Sequence, residues 1–430
     1  MALALALAKE QALASRIAGL NLAVGGWLGA ARAQALARLS VMGLPIKRDE
    51  YWRYTDPTSL TQAQAPAASL FETQDETPAF DAIDCLKLIF VDGVFDAVAS
   101  DDPTLAGVTI ERLAKVATTD IHWARDLYGV LEARGQSPVE RPLAAMNTAF
   151  ATEGVLIRVT GKAAKPISII YLRKSPSSDV ILHHCIKIET GATATILESG
   201  PAAARLTVVT EVEVAEGGCF HHIRTQGRDH DRRAATHIFA RLASKATFKS
   251  FTVTANGRLT RNDAVIELVG HDAVAHIAGA SMGDGDFHHD DTVFITHAGE
   301  RGESRQVFKK VLKNGAVGVF QGKILVKPGA QKTDGYQISQ SLLLDDDSQF
   351  LAKPELEIYA DDVKCSHGST SGAIDETAIY YLRSRGVPLK EAQSLMVLAF
   401  LAEAIDEIED VAVAEDIRER LRNWLARHEH

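Results

Sequence analysis

Cysteine is scarce in this 430-residue chain. Cys85, Cys185, Cys219 and Cys365 lie far apart and form no CxxC pair. That usage argues against a disulfide framework and for a reduced, cytosolic protein. Positive charge is also in deficit, with 46 Lys and Arg against 56 Asp and Glu, a net charge of −10 and a pI near 5.9. A nucleic-acid partner would call for a basic footprint, so none is expected. No apolar run is long enough to span a bilayer, so no membrane partner is expected either. The first residues, MALALALAKEQALASRIAGL, lack a basic n-region, and Lys9 and Glu10 interrupt the apolar run. They read as an alanine-rich amphipathic helix rather than a secretory signal. There is no GxxxxGK[ST], so the chain should not hydrolyse ATP itself. An HExxH motif is also missing.

What is present is the composition of a soluble globular protein, 46% hydrophobic and 24% charged, at a length that suits two or three domains. Residues from about 5 to 40 have a helical composition, ended by Gly43, Leu44 and Pro45. The segment KRDEYWRYTD, Lys47 to Asp56, concentrates Tyr51, Trp52 and Tyr54 beside charge. It reads as an aromatic anchor holding the N-terminal segment to the body, with a partner contact as the sharper alternative. Residues 61–80 look like an exposed linker. Leu86 to Ala97 reads as a hairpin turning at Asp92-Gly93. A helical stretch then runs to about Phe150, so residues 1–150 are expected to form an N-terminal, mainly helical domain.

From Val155 to about Val363 short apolar or alternating runs follow one another, among them VILHHCIKIE, LTVVTEVEV and AVGVFQGKILV. Gly, Asn, Asp and Pro punctuate them. Many short strands at regular spacing mean a sandwich, a barrel or a solenoid. The region is long for one sandwich. A parallel β-helix fits, because each coil buries its apolar face only by stacking on its neighbours. No strict repeat is visible.

The stretch ELEIYADDVKCSHGSTSG, Glu355 to Gly372, joins this region to a helical tail. Glu355 to Tyr359 alternate like a half-buried strand. If that strand continues, Cys365 and His367 share a face, with backbones about 6.5 Å apart, and both can reach one metal centre. Gly368 and Gly372 are expected to break the strand, and Asp375 to cap the next helix. Leu389 to Ile408 and Val413 to Arg427 are expected helices. A stripe of Leu395, Leu398, Ala399, Ala402 and Ile405 on the first wants a partner surface. The expected division is therefore a β-helix over 151–370 and a helical domain over 371–430.

Histidine also occurs in adjacent pairs, His183-His184, His221-His222 and His288-His289. Neighbours on a strand face opposite ways, so such pairs chelate poorly. The run GDGDFHHDD, Gly283 to Asp291, reads as a polar turn between coils rather than a metal site, and Cys185 and Cys219 as core residues.

The long segment from Ser304 to Gly386, with EYWRYTD, MNTAF (Met146 to Phe150) and HHDDTVFITH (ending at His297), resembles the SufB/SufD family of iron–sulfur cluster assembly subunits. The SufB branch carries a glutamate after the histidine and a cysteine-bearing segment near Leu342 to Leu344. This sequence has CSHGST and SLLLDDD there, which favours the SufD branch. Ser369 stands where the family usually has alanine. The resemblance implies a right-handed parallel β-helix between N- and C-terminal helical domains. It implies a heterodimer with SufB, and docking of the ATPase SufC on the C-terminal helices. It further implies a nascent cluster, built from iron and sulfide and shared with SufB, near Cys365 and His367. It allows a reduced flavin in the complex and a homodimer when the chain is alone.

A cluster usually has four protein ligands, mostly thiolates, with histidine as a substitute. Cys365 and His367 supply two, so the rest must come from a partner. Taken on pattern alone, Cys365 reads rather as a small buried hydrophobe and His367 as a satisfied polar residue at a strand end. Three functions are therefore carried forward. They are a non-enzymatic scaffold of the SufBCD complex, a purely structural adaptor between SufB and SufC, and a β-helix hydrolase or lyase acting on acidic polysaccharide.

Overall fold

The computed structural model describes residues 2–22, 25–70, 77–200, 203–227 and 229–427. Its N-terminal part holds α1 (Ala2–Ile17), α2 (Gly29–Met42), the single turn α3 (Thr58–Thr61), β1 (Leu86–Val91), β2 (Val94–Phe95), β3 (Val108–Arg112), α4 (Leu113–Val116), α5 (Val130–Arg134) and α6 (Pro142–Phe150). Sixteen strands follow in pairs. They are β4 (Val155–Val159), β5 (Ile167–Leu172), β6 (Asp179–Ile188), β7 (Thr193–Ser199), β8 (Arg205–Val214), β9 (Cys219–Gln226), β10 (Arg233–Leu242) and β11 (Thr247–Ala255). Next come β12 (Leu259–Leu268), β13 (Val274–Asp284), β14 (His288–His297), β15 (Glu303–Lys313), β16 (Val317–Val326), β17 (Asp334–Leu343), β18 (Gln349–Ile358) and β19 (Lys364–Gly372). The tail is α7 (Glu376–Ser384), α8 (Leu389–Ile405) and α9 (Val411–Arg427).

From β4 onward the strands form a parallel β-solenoid. Odd-numbered strands stack in one sheet, ordered from β19 down to β5 and then β1 and β2, and even-numbered strands in the other, from β18 to β4 and then β3. Every second side chain points between the sheets, where Leu86, Ile157, Ile169, Ile186, Val212, Phe220, Phe248 and Ile266 form one apolar core. The other face of each sheet is covered by helices. Tyr128 and Leu131 pack on Cys185, Val209 and Phe239 of the even sheet. Val397, Leu401 and Ala404 of α8 pack with Ile223, Phe251, Ala278 and Val307 of the odd sheet.

The coil repeat lies in the backbone. Register partners are 26 residues apart at Asp179 and Arg205 and 31 apart at Lys309 and Gln340. One corner of successive coils turns through a left-handed residue, at Gly191, Gly217, Lys245, Asp272, Arg301 and Lys332. Each corner amide donates to the coil above, as from Lys245 to His271 O at 2.8 Å and from Asp272 to Glu300 O at 2.9 Å. Glycine takes this conformation freely, whereas the other four are held there by stacking.

Several expectations are corrected. The helical composition over 5–40 is divided between α1 and α2, with Gly19, Gly25 and Gly26 outside both helices. The helical stretch before Phe150 contains β3, which pairs antiparallel with β4. Residues 62–70 are strapped to the solenoid rather than free. Arg205 donates to Gln62 O at 2.6 Å, and Arg173 to Ala68 O and Ser69 O at 2.8 and 2.6 Å. Residues 71–76 of the expected linker lie outside the described residues. GDGDFHHDD is only partly a turn, since His288 to Asp291 open β14. The face of α8 that is buried runs through Ala392, Val397, Leu401, Ala404 and Ile405, and leaves Leu395 exposed. The aromatic anchor holds as expected. Tyr51 packs edge-on to Phe294 with centroids 5.1 Å apart, and the Arg261 guanidinium lies 4.2 Å from the Trp52 ring centroid.

Candidate functional site at the open end of the solenoid

Glu355 to Gly372 is not one strand. A turn over residues 359–363 separates β18 from β19, and β19 runs through Gly368 to Gly372. Each is the last strand of its sheet, so among the described residues one edge of each is unpaired. Cys365 and His367, two apart on β19, do share a face, as expected. Their register partners on β17 are Gly335 and Gln337.

That face points inward. A Cβ on Gly335 would lie 3.2 Å from Cys365 Sγ and 3.4 Å from Cγ2 of Ile324 on the opposite sheet. Cys365 packs against Ile324, Val326, Ala330 and Ala360 and is half-buried, whereas His367 is exposed because no further coil lies above it. The glycine leaves the sulfur its room. Burial pushes the Cys365 thiol up; a backbone hydrogen bond from Gly335 opposes this in part, and the nearby Asp334 carboxylate adds a smaller push upward. Lys364 points to the opposite face and gives the thiolate no support.

The rim continues with polar side chains. Ser339 donates to Ser369 Oγ at 3.1 Å and Ser341 to Ser371 Oγ at 2.8 Å. One and two coils below, the interior carries Gln337 and Gln306, both fully buried, whose amide atoms have no partner among the described residues. The Asp375 side chain accepts from Thr377 N and caps α7, three residues after β19 ends.

Sequence reasoning missed a polar interior. Tyr171 and His222 each lie 2.9 Å from Glu198 oxygens, and Arg224 donates to the same carboxylate at 2.5 Å. Arg224 also reaches Thr236, which donates to Asn262, and Asn262 lies 3.1 Å from His289. Lys310 joins His289 to Asp291 at 3.0 and 2.5 Å. Burial alone would raise Glu198, but Arg224 and His222 reverse this and hold it well below the usual carboxylate range. Burial presses His184 down to about 4.

The histidine pairs split between opposite faces, as the period of two requires. His184, His222 and His289 point inward into this network. On the other faces, His221 meets Cys219 and Glu409 at 3.3 Å each, and His288 meets Thr55 at 3.0 Å. His183 meets Glu211 at 2.8 Å, beside Cys185. The sequence signal for that last group is H-x-C on one strand and a carboxylate one coil later, legible only once the coil register is known.

Two surface pockets are of mixed charge, one lined by Lys249, His276, Glu407 and Glu409 and the other by Asp81, Lys87, Asp101 and Lys165.

The fold, the two unpaired edges and the C-x-H on the last strand point the same way as the sequence comparisons. Residues 171–400 match the SUF system FeS cluster assembly SufBD core domain, and residues 18–169 match the SufBD protein N-terminal region. The chain belongs to the SufBD family of iron–sulfur cluster assembly proteins. Within that family it is similar to SufD of Escherichia coli K12, at 28% identity over 91% of this chain and 92% of that protein. SufD of Bacillus subtilis is 25% identical over 89% and 90% of the two chains. A SufBD-family iron–sulfur cluster assembly protein of Synechocystis is 27% identical over 88% and 86%.

Proposed function

We propose that this chain is a non-enzymatic, cytoplasmic scaffold subunit of a SufBCD-type complex, with Cys365 and His367 supplying two ligands to a nascent cluster shared with SufB. The observation that carries this reading is their common face on an unpaired end strand of the solenoid. A second solenoid docked there brings its own ligands, which a cluster needs because two are too few. Edge strands are ready templates for such pairing. Two ligands from each side also hold the cluster loosely enough to hand it on. When the chain is alone, the same end suits a second copy.

The ATPase SufC docks on the helical tail in this reading. Tyr380, Tyr381, Leu389 and Leu395 are exposed there, and apolar side chains grouped on one helical layer favour a protein partner. Residues 373–375 join α7 to β19, so a pull on the tail is passed directly to the candidate strand. The mechanism proposed is that closure of ATP-bound SufC moves α7 and opens the Cys365 and His367 end within the complex. Unchanged labelling of Cys365 with and without ATP in the assembled complex would refute that step.

The adaptor reading keeps one observation in its favour. Cys365 sits in an apolar cluster with its thiol held up, as a small hydrophobe would. The polysaccharide reading loses ground, because helices cover the outer face of both sheets where a sugar groove would lie. Co-expression with SufB and SufC, anaerobic purification, and iron and acid-labile sulfide counts for wild type and His367→Ala decide between scaffold and adaptor. Loss of the cluster from an intact complex is expected. Equal assembly would make His367 structural.

A further inference from the structure

A second group of metal-ligating side chains lies near the other end of the solenoid. His183 and Cys185 stand two apart on β6, and Glu211 on β8 is the register partner of Cys185. One donor atom from each lies within 4.8 Å of the other two, and all three residues are 0% exposed. They face α5 and α6, away from the solenoid interior.

Hydrogen bonds fix the direction of each lone pair. The Asn147 amide nitrogen donates to Leu182 O and Thr207 O, each at 2.9 Å. Asn147 Oδ1 therefore faces His183 Nδ1, at 3.1 Å, and that nitrogen carries a proton. Nε2 is left facing Glu211 Oε2 at 2.8 Å. A neutral imidazole with its proton on Nδ1 would set a lone pair against a carboxylate, so a cation has to sit between them. The carboxylate cannot swing away, because Gly129 N and Glu132 N donate to its two oxygens at 2.5 and 2.8 Å. The Tyr128 ring, stacked at 4.0 Å, fixes the imidazole plane.

We propose that His183, Cys185 and Glu211 bind one borderline dication of the zinc or ferrous class. Without metal, one proton is shared by His183 and Glu211 and a second stays on the Cys185 thiol. A dication takes the imidazole lone pair, the carboxylate and the thiolate, and releases both protons. Net charge in this fully buried place is the same before and after, which avoids the several-kcal/mol penalty of burying an uncompensated ion. The nitrogen, oxygen and sulfur donors suit such a metal and disfavour calcium or magnesium. The short Nε2 to Oε2 separation has to widen by a few tenths of an ångström to span two bonds of about 2.0–2.1 Å. Because the site is closed, metal loads as the chain folds. Once bound, it pins β6 and β8 together beneath the first turn of α5.

The test uses the full chain carrying Cys85→Ala, Cys219→Ala and Cys365→Ala, so that Cys185 is the sole thiol. The chain is unfolded and refolded with cobalt(II), then gel-filtered. About one cobalt per folded chain is expected, with a thiolate-to-cobalt band in the near ultraviolet and the visible bands of a tetrahedral site. Adding Cys185→Ser should remove the near-ultraviolet band. A folded sole-thiol chain that retains no cobalt, or retains it without the thiolate band, overturns the proposal. Because none of these readouts involves cluster assembly, failure here leaves the Cys365 and His367 reading untouched.

Discussion

Cys365 and His367 differ in what surrounds them, and the difference is measurable. Burial and Asp334 hold the Cys365 thiol up. Its alkylation should therefore show a midpoint above the roughly 8.5 of a free thiol, and Asp334→Asn should move that midpoint down. Labelling rates between pH 7 and 10, read by mass spectrometry, check both. Buried histidines set the acid side. His184, His237 and His297 are held near 4 by burial, against about 6.5 when unfolded. Between those values the unfolded chain binds more protons, so stability is complete above about pH 6.5 and is lost as pH falls toward 4. Each histidine accounts for about 3 kcal/mol of that loss. Denaturant unfolding at pH 7 and pH 5 should show it, and His297→Gln should flatten the slope by about one proton.

Among the elements, α8 separates two roles along one helix. Leu401 is fully buried against the odd sheet, so Leu401→Ala should cost about 2–5 kcal/mol of chain stability. Leu395 is exposed, so Leu395→Ala should change stability by no more than about 0.5 kcal/mol while weakening capture of SufC in a pull-down. The stripe read from the sequence mixed these two faces. Apolar spacing shows that a helix has a wide hydrophobic surface, but not which side of it the sheet takes. In β19, Lys364 N donates to Thr333 O at 2.8 Å, so even-numbered amides face β17 and odd-numbered ones face the open side. Ser369→Pro thus removes a free donor and no ladder bond. The chain should keep its melting temperature within a few degrees and lose association with SufB on gel filtration. The shared face of Cys365 and His367 was legible from the strand period of two. Its inward direction was not, because direction depends on which coil lies beneath. The same limit hid the group at His183, whose third member is brought in by register. The solenoid itself left only a faint trace in the sequence. Its corners accept Gly, Lys, Asp and Arg alike, and coil length varies, so the repeat has no fixed letters.

Across the whole molecule, four layers lie in order: N-terminal helices, even sheet, odd sheet and C-terminal helices. The two ends of this stack are unlike. At one end, sheet growth stops at the two-residue β2 and at β3, each running antiparallel to its neighbour. At the other, β18 and β19 are unpaired on one edge. In the language of polymer chemistry, docking through β18 and β19 alone, as proposed, makes the chain a monofunctional monomer. One reactive end permits a single joining event, after which neither participant has anything left to react. A rod with two such ends would grow into fibres as concentration rose. A chain that joins through β18 and β19 alone, as proposed above, makes only pairs, so its size in light scattering should level off at two solenoids however concentrated the solution becomes.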